Sequence, residues 1–487
     1  MKTITLLILA LLLKSLQPSV SGQAKLLKSD SLLVDIDYLE EILTSVHPGI
    51  YRYNTKEQIA AEFDRLRRQV QGRKMDEAAW MLLLAKSVNK VKCGHTYLNP
   101  WNMKKSIRNR LFGGAIYFPL GFKILDGRMV VSENLSDEQS IERGDLIVSI
   151  NGLPAQQILD SMTIIAKTDG HNFNPVDSYL SLDEFGENRW EAFDLYYRLF
   201  FGVDDTFEVV CEGVNKTTKY ELKALTKKER SDRFKGNAIN RWDLSFEKKK
   251  AIMTLGTFAT WNWKGFDYKE WFEESFRKID SAGSAYLVID LRGNSGGLGE
   301  IREELLSYLT AMEIPCRGNQ KVLVRTLQAD SKFKPYADTW TNWIFEGLTA
   351  DKYEHYNEDF YELDESSNCK SIQPKPKPFL GSVYLLGGPS NVSATFQLMQ
   401  TSKLLDNVHF VGSETGGNQQ GINGGEYIFF YLPYSGMEVD IPLKFFFGGD
   451  DRPDQGILPD YPVQYKLSDI RLGIDPHMKV VEGLISE

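Results

Sequence analysis

The chain has 487 residues, which at roughly 100 to 200 residues per domain corresponds to two to four domains. Its 42% hydrophobic, 12% aromatic and 25% charged residues are ordinary for globular domains and exclude a mainly disordered or fibrous protein. The 66 acidic residues outnumber the 57 basic ones, for a net charge of -9. Because no block of Lys or Arg occurs either, we expect no nucleic-acid partner held by phosphate neutralisation.

The N-terminus predicts a secretory signal, which we assign to residues 1–22. Lys2 precedes an apolar run at residues 3–13, and Val-Ser-Gly at 20–22 stands where a signal peptidase requires small residues. The run is shorter than the roughly 20 residues of a membrane-spanning helix, and no later stretch is long and apolar enough for one. We therefore expect cleavage and export to the periplasm or the extracellular space, with a membrane anchor as the alternative.

Two folded units are predicted after the signal and before the α/β region. Apolar residues recur at helical spacing at 31–85 and predict an N-terminal helical domain at residues 23–110. Short strand-like segments separated by turn residues then predict a β-rich module at residues 111–230, with a helical insertion near 177–201.

From residue 231 to residue 487, strands alternate with helices, which predicts a layered α/β core. The predicted strands include 251–255, 285–291 and 382–386, and the predicted helices are 268–281, 299–311 and 393–402. The expected fold class is therefore α/β multidomain: a helical domain, a β-rich module and an α/β core.

Two strand ends in this core are candidates for chemistry. A buried apolar strand runs into Leu-Arg-Gly-Asn-Ser-Gly-Gly at 291–297, and glycines let backbone N–H groups turn toward a developing oxyanion. A tight strand-to-helix turn also uses glycine. A second strand ends in a turn that carries Ser390 and Ser393 before a helix. A serine there is either a nucleophile at a helix N-terminus or simply the N-cap of that helix.

The order of several motifs along the chain carries a resemblance to a known family. The motifs are His-Pro-Gly-Ile-Tyr at 47–51, Lys-Cys-Gly-His-Thr-Tyr at 92–97, Arg-Gly-Asp-Leu-Ile-Val-Ser-Ile-Asn-Gly at 143–152, the glycine loop at 291–297, Val-Ser-Ala at 392–394 and Gly-Ile-Leu-Pro-Asp at 456–460. They resemble the tail-specific, or C-terminal processing, serine peptidases, and among them the histidine-dependent branch that includes the tricorn core. The resemblance covers residues 35–484. It implies a PDZ-like β-rich module, a ClpP/crotonase-like catalytic core, and a peptidase without metal or cofactor.

The resemblance also implies catalytic residues. It makes Ser393 the nucleophile, with Ser390 as the fallback. Many relatives pair this serine with a lysine, but Asn418 stands at the matching position here. Because an asparagine side chain does not usefully accept a proton near neutral pH, the base must come from elsewhere. His95 matches the position from which the tricorn-like branch supplies a histidine, and imidazole is suited to taking the serine proton.

The remaining parts of the implied site are an acid and an oxyanion hole. The resemblance draws the acid that orients the histidine from just before the closing Gly-x-x-Pro-Asp segment, where Asp454 is our first choice and Asp451 the second. It builds the oxyanion hole from the backbone N–H of Ala394 and one from Gly296 or Gly297. The PDZ-like module would recruit a polypeptide by β-augmentation.

The four cysteines predict no disulfide scaffold and no zinc site, because they are few, scattered and without a CxxC pair. Cys93, two positions from His95, is either a buried thiol or one half of a reactive Cys/His pair. Cys316 and Cys369 are candidates for a bridge in an oxidising compartment, which the sequence leaves open.

The expected function is thus that of an exported serine endopeptidase that cleaves polypeptides through an acyl-enzyme, with Ser393 as nucleophile and His95 as general base. The alternative is a non-catalytic protein on the same fold that binds peptides or hydrophobic ligands, because the resemblance also reaches such relatives.

Trp261, Trp263 and Trp271 precede the glycine loop and are expected to pack in the core, with substrate contact as the alternative.

Overall fold

The computed structural model of the protein describes residues 25–114, 116–182, 192–234, 242–315, 320–364 and 371–486. The predicted signal at 1–22 lies outside these residues, as do Cys316, Cys369 and part of the predicted helical insertion at 183–191. In the part of the chain that the structure describes, no helix is both long and apolar enough to cross a membrane.

The N-terminal region is helical, and β1 (Leu26–Lys28) and β2 (Lys74–Asp76) form a short antiparallel pair in it. Its helices are α1 (Ser29–Val46), α2 (Lys56–Val70), α3 (Glu77–Val88) and α4 (Lys105–Phe112). Helix α2 shows why the local sequence folds this way. Thr55 and Gln58 form a capping box that satisfies free N–H groups at its start, and its four buried residues recur at helical spacing: Ile59, Phe63, Leu66 and Val70.

The middle region contains an antiparallel sheet whose strands follow the order β3-β4-β5-β7-β8, with β6 paired to β5. The strands are β3 (Leu120–Leu125), β4 (Arg128–Asn134), β5 (Leu146–Ile150), β6 (Leu153–Pro154), β7 (Thr206–Glu212) and β8 (Thr217–Lys223). The helices are α5 (Ala155–Thr163), α6 (Pro175–Leu180), α7 (Ala192–Phe201) and α8 (Lys227–Arg233). The region is thus rich in strands, and α6 and α7 fall in the predicted helical insertion near 177–201, whereas α5 and α8 were not predicted.

The C-terminal half contains two further sheets. Its strands are β9 (Trp242–Glu247), β10 (Lys250–Leu255), β11 (Tyr286–Asp290), β12 (Lys321–Val324), β13 (Ala337–Thr339), β14 (Tyr353–Asn357), β15 (Phe360–Leu363), β16 (Ser382–Gly387), β17 (Val408–Gly412), β18 (Gly421–Tyr431), β19 (Glu438–Phe447) and β20 (Tyr461–Pro462). Its helices are α9 (Tyr268–Ser281), α10 (Gly299–Leu309), α11 (Trp343–Glu346), α12 (Ser393–Ser402), α13 (Leu467–Leu472) and α14 (Pro476–Ser486).

The first of these sheets is the predicted α/β core, with the strand order β20-β17-β16-β11-β10-β9. All neighbouring strands are parallel except β9, which pairs antiparallel with β10 at the edge. Successive residues of β11 point to opposite faces. Leu287 and Ile289 join a buried cluster with apolar residues of α9, α10 and α12, whereas Val288 joins a different cluster with Val481 of α14. The sheet is therefore covered by helices on both faces.

The parallel arrangement positions the two candidate loops. Strands β11 and β16 are hydrogen-bonded neighbours, so the loops that leave their carboxyl ends emerge side by side at one edge of the sheet. The first is the loop at 291–298, which contains the glycine motif. The second is the turn at 388–392, which carries Ser390 and leads into Ser393.

The second sheet was not predicted from the sequence. Its strand order is β13-β18-β19-β12-β15-β14, with every pairing antiparallel. The apolar side chains of β18 and β19, such as Ile428 and Ile441, belong to one buried cluster with Leu39 and Leu43 of α1. The N-terminal helices are therefore packed on a sheet whose strands all lie in the C-terminal half of the chain.

Candidate active site

Ser393 stands at a sharp turn between β16 and α12. Its φ is 53°, in the left-handed region that costs a non-glycine residue about 1 to 2 kcal/mol. Helix α12 is assigned from Ser393, and its N-cap is Val392, whose carbonyl oxygen accepts the backbone N–H of Phe396 at 3.2 Å. Strain of this kind persists only where the surrounding structure imposes it, and it concentrates at functional sites. The N-cap position is thus occupied by Val392, and the strained backbone of Ser393 favours the nucleophile interpretation.

A buried polar network holds this turn against the glycine loop. The side-chain amide of Asn391 donates to the carbonyl oxygens of Leu291 and Asn294, at 2.7 and 3.1 Å. The Asn294 amide donates to Leu255 at 2.7 Å, and its side-chain oxygen accepts from the Thr395 hydroxyl at 2.8 Å. Asn294, Asn391 and Thr395 have no exposed surface. Because buried polar groups are costly when unpaired, this closed network fixes the two loops relative to each other.

The network also decides which backbone amides are available as oxyanion donors. The N–H of Gly296 donates to the side-chain oxygen of Asn294 at 2.9 Å, which corrects the expectation that Gly296 could serve as a donor. A methyl group built on Gly296 would lie 2.8 Å from Cβ of Ser393 and 3.0 Å from the backbone nitrogen of Ala394. The glycine loop therefore approaches the nucleophile turn closely, and Ala394 and Gly297 stay as the predicted donors.

His95 lines a cavity of about 30 Å³ next to the nucleophile turn, whose walls include Val392, Lys167, Asp169 and Tyr179. Its Nδ1 is buried and has no hydrogen-bond partner within the described ranges. Burial lowers the pKa of His95 from its usual 6.5, the charge of Asp169 opposes this shift, and the charge of Lys167 adds to it. The result is an imidazole that is neutral near neutral pH and can accept a proton.

Asp454 contacts a different histidine from the one that we expected. Its carboxylate accepts a hydrogen bond from Asn418 and lies 2.6 Å from Nδ1 of His171. Burial raises the pKa of Asp454, but the bonds from His171 and Asn418 outweigh it and hold the pKa below its usual value. The assignment of Asp454 as the acid that orients His95 is therefore corrected. The second choice, Asp451, is exposed on the same loop.

Asp169 is the carboxylate beside His95. Its side-chain oxygen accepts the backbone N–H of Gly94 at 2.9 Å, which ties it to the residue preceding His95. Both residues line the same cavity, and the charge of Asp169 acts on the His95 ring. No local motif marks Asp169, so the sequence held no signal that could have found it.

Comparison with known protein families finds a match in the C-terminal half of the chain. Residues 250–463 match the model of Peptidase family S41. This region of the chain is that of an S41 peptidase. It is accordingly a serine-type peptidase, as the motif order predicted, and the non-catalytic alternative is not favoured. No curated protein matches the sequence.

Solved structures extend the similarity in fold to nearly the whole chain. Mature CPAF complexed with lactacystin is 14% identical, with a TM-score of 0.61, over 94% of this chain and 97% of that one. A mutant of CPAF is 12% identical, with a TM-score of 0.64, over 93% and 96% of the two chains. The tricorn protease is 13% identical, with a TM-score of 0.39, over 94% of this chain and 37% of its own.

The S41 match contains Ser393 and the glycine loop, whereas His95 and His171 lie before its first residue. The fallback nucleophile of this S41 peptidase, Ser390, is buried, and its Oγ lies 2.6 Å from Oγ of Ser178. It lines another cavity, of about 230 Å³, together with Ser178 and Lys123.

Cys93 of the S41 peptidase is a buried thiol. Burial raises its pKa to about 11, and its Sγ accepts a hydrogen bond from Asn423 at 3.3 Å. A protonated thiol is a poor nucleophile, so a reactive Cys93/His95 pair is disfavoured. His47 is also buried, and its Nε2 lies 2.7 Å from the hydroxyl of Thr96. Among the described residues, no group of three or more His, Cys, Asp or Glu side chains could hold a metal ion.

We expect Gly297→Ala to disrupt the site. A methyl group there would lie 2.1 Å from the carbonyl carbon of Phe258, and the φ of 141° is one that L side chains rarely adopt. The variant should lose about 2 to 4 kcal/mol in its free energy of unfolding, measured in urea. Gly299→Ala is the matched control, because no atom lies within 4 Å of the added methyl group. Equal destabilisation of the two variants would contradict the expected clash.

Proposed function

We propose that this protein is an exported serine endopeptidase that cleaves polypeptides through an acyl-enzyme, with Ser393 as the nucleophile and His95 as the general base. The single observation that carries the assignment of Ser393 is its strained backbone at the start of α12, held against a glycine loop inside the S41 match. Export rests on the signal pattern at residues 1–22.

In the proposed reaction, His95 takes the proton of Ser393 as Oγ attacks the peptide carbonyl, and the carbonyl oxygen becomes an oxyanion. The N–H groups of Ala394 and Gly297 stabilise this charge. The intermediate then expels the amine, which receives the proton from His95, and leaves an ester on Ser393. Water adds to the ester with His95 again as base, which releases the acid product and restores the serine.

His95 is the proposed base because its ring and Val392, the neighbour of Ser393, line the same cavity, and because its lowered pKa keeps it neutral. Asp169 is the proposed electrostatic partner of His95. The β3–β8 sheet is proposed to be the PDZ-like module that recruits the polypeptide, since an edge strand of such a sheet, here β8, can pair with an additional strand.

Fluorophosphonate labelling of the exported protein tests this function. A reactive serine in an oxyanion hole is phosphonylated, and we expect mass spectrometry of the digest to find the adduct on the peptide containing Ser393. Hydrolysis of a denatured protein substrate should be lost in proportion to labelling. Folded protein that neither labels nor hydrolyses any polypeptide would overturn the proposal in favour of a binding protein on this fold.

The acid limb of the pH–activity profile tests the base. A protonated imidazole cannot take the serine proton, so kcat/KM should fall as the pH falls through the pKa of His95, with a midpoint below the usual 6.5. Asp169→Asn removes a charge that raises this pKa and should move the midpoint to lower pH. Lys167→Met removes a charge that lowers it and should move the midpoint to higher pH. Shifts in the same direction would contradict His95 as the base.

A further inference from the structure

Two tryptophans are exposed beside the candidate active site. Trp261 is 55% exposed and Trp340 is 62% exposed, and their ring centroids lie 6.2 Å apart. The expectation that Trp261 packs in the core is therefore corrected, whereas Trp271 does pack edge-on against Trp242 at 4.9 Å. Adjacent exposed rings of this size are unusual on a protein surface and commonly mark a contact site.

Trp340 connects this pair to His95. Its ring packs edge-on against Tyr427 and Phe429, with centroids 5.2 Å from each. Tyr427 and Phe429 are two residues apart on β18, and their rings are nearly parallel at 6.0 Å. The ring of Tyr427 lies 6.2 Å from that of His95. A continuous row of aromatic side chains therefore leads from the proposed base to the exposed tryptophans.

Trp261 connects the pair to the glycine loop. Phe258 pairs with this loop, because its N–H donates to Gly296 at 3.0 Å and its carbonyl accepts from Leu298 at 3.0 Å. Three residues later the chain makes a tight turn, in which the N–H of Trp263 donates to Thr260 at 2.9 Å. This turn presents Trp261 to solvent. The backbone that fixes the glycine loop thus also fixes Trp261.

We propose that Trp261 and Trp340 form a subsite for an aromatic side chain of the polypeptide substrate, close to the bond that is cleaved. The inference rests on the proposed function, since it names the substrate preference of the same site. Two indole rings inclined at 59° to each other can bury an aromatic side chain by stacking and edge contacts, and they offer it no charged partner. The pair is continuous with the glycine loop on one side and with His95 on the other. That continuity favours a bound substrate over a second copy of the chain, which would need roughly 800 Å² on each partner for a stable dimer.

Binding to the full-length Ser393→Ala protein tests the subsite without cleavage. The probes are two fluorescent peptides of the same length and charge, one with a central Phe and one with Ala in its place, and anisotropy gives each Kd. In the Ser393→Ala background we expect the Phe peptide to bind about 10-fold more tightly than the Ala peptide. Adding Trp261→Ala or Trp340→Ala should reduce this preference to less than about 3-fold, mainly by weakening the Phe peptide.

Tyr434→Ala is the matched control, because Tyr434 is an aromatic residue of similar exposure, at 56%, outside this aromatic row. It should leave the preference unchanged, and thermal unfolding should verify that all variants are folded. A Phe preference that survives both tryptophan substitutions overturns the subsite. Sedimentation that finds a dimer, dissociated by Trp340→Ala, would also overturn the subsite. The tryptophan rings of the two copies would then be buried against each other.

The outcome for the subsite is separate from that for catalysis. Wild-type protein that resists the fluorophosphonate while its Ser393→Ala variant keeps the tryptophan-dependent Phe preference refutes the peptidase mechanism and retains the binding site. Wild-type protein that labels at Ser393 but has no tryptophan-dependent preference refutes the subsite and retains the mechanism.

Discussion

Replacing Ser393 with alanine is expected to reduce kcat for peptide hydrolysis by a factor on the order of 10⁴ to 10⁶, with a much smaller change in KM. Without Oγ no acyl-enzyme forms, and only the oxyanion donors and substrate binding are left to accelerate direct attack by water. Steady-state kinetics on a fluorogenic peptide, together with fluorophosphonate labelling, measures the loss.

Ser390→Ala is the control for this result. Ser390 is three residues away in the same turn, but its Oγ is paired with Ser178 in a different cavity. We expect its kcat to stay within about 10-fold of the wild-type value, since no step of the reaction uses it. A large loss in Ser390→Ala combined with a small loss in Ser393→Ala would transfer the nucleophile to Ser390.

Replacing His95 with glutamine is expected to lower kcat by about 10² to 10⁴, the usual contribution of a general base. Glutamine keeps a polar side chain of similar length but cannot take the proton of Ser393. The pH dependence of the residual activity should also lose its acid limb, which a merely structural role of His95 would leave in place.

His171→Gln is the matched control for the base. His171 is half-exposed, and its Nδ1 is engaged by Asp454, which is the arrangement usually found around a catalytic histidine. We expect this variant to lose less than about 10-fold in kcat. If instead His171→Gln removes the acid limb and His95→Gln does not, the base is the His171–Asp454 pair, and Asp454→Asn should then reproduce the effect.

The local sequence predicted the elements of the α/β core well. The helices at 268–281 and 393–402 have the predicted bounds, and the strand predicted at 285–291 is observed as Tyr286–Asp290. These segments combine clear apolar periodicity with strong signals at their ends, such as the Asp267 cap of α9 and the three glycines of the loop after β11. A buried parallel strand followed by glycines can be predicted from the sequence, because each part of the pattern lies in neighbouring positions.

The second sheet was not predictable in the same way. Its strands β18 and β19 contain Gly, Asn and Pro residues and pair with β12 and β13 from more than 80 residues earlier. Their apolar faces are covered by the N-terminal helices, a partnership that no local pattern records. The sequence therefore indicated an N-terminal helical region but not the surface on which it packs.

By itself, the sequence determined the peptidase family, the α/β core, and the candidates Ser393 and His95, because motif order, apolar periodicity and turn residues are all properties of neighbouring positions. Only the tertiary structure decided which groups meet. Asp454 faces His171 and Asp169 faces His95, the Gly296 amide is committed to Asn294, and Trp261 is exposed beside Trp340. The physical reason is that electrostatic and hydrogen-bond partners are chosen by distances of a few ångströms in space, and long-range packing sets those distances.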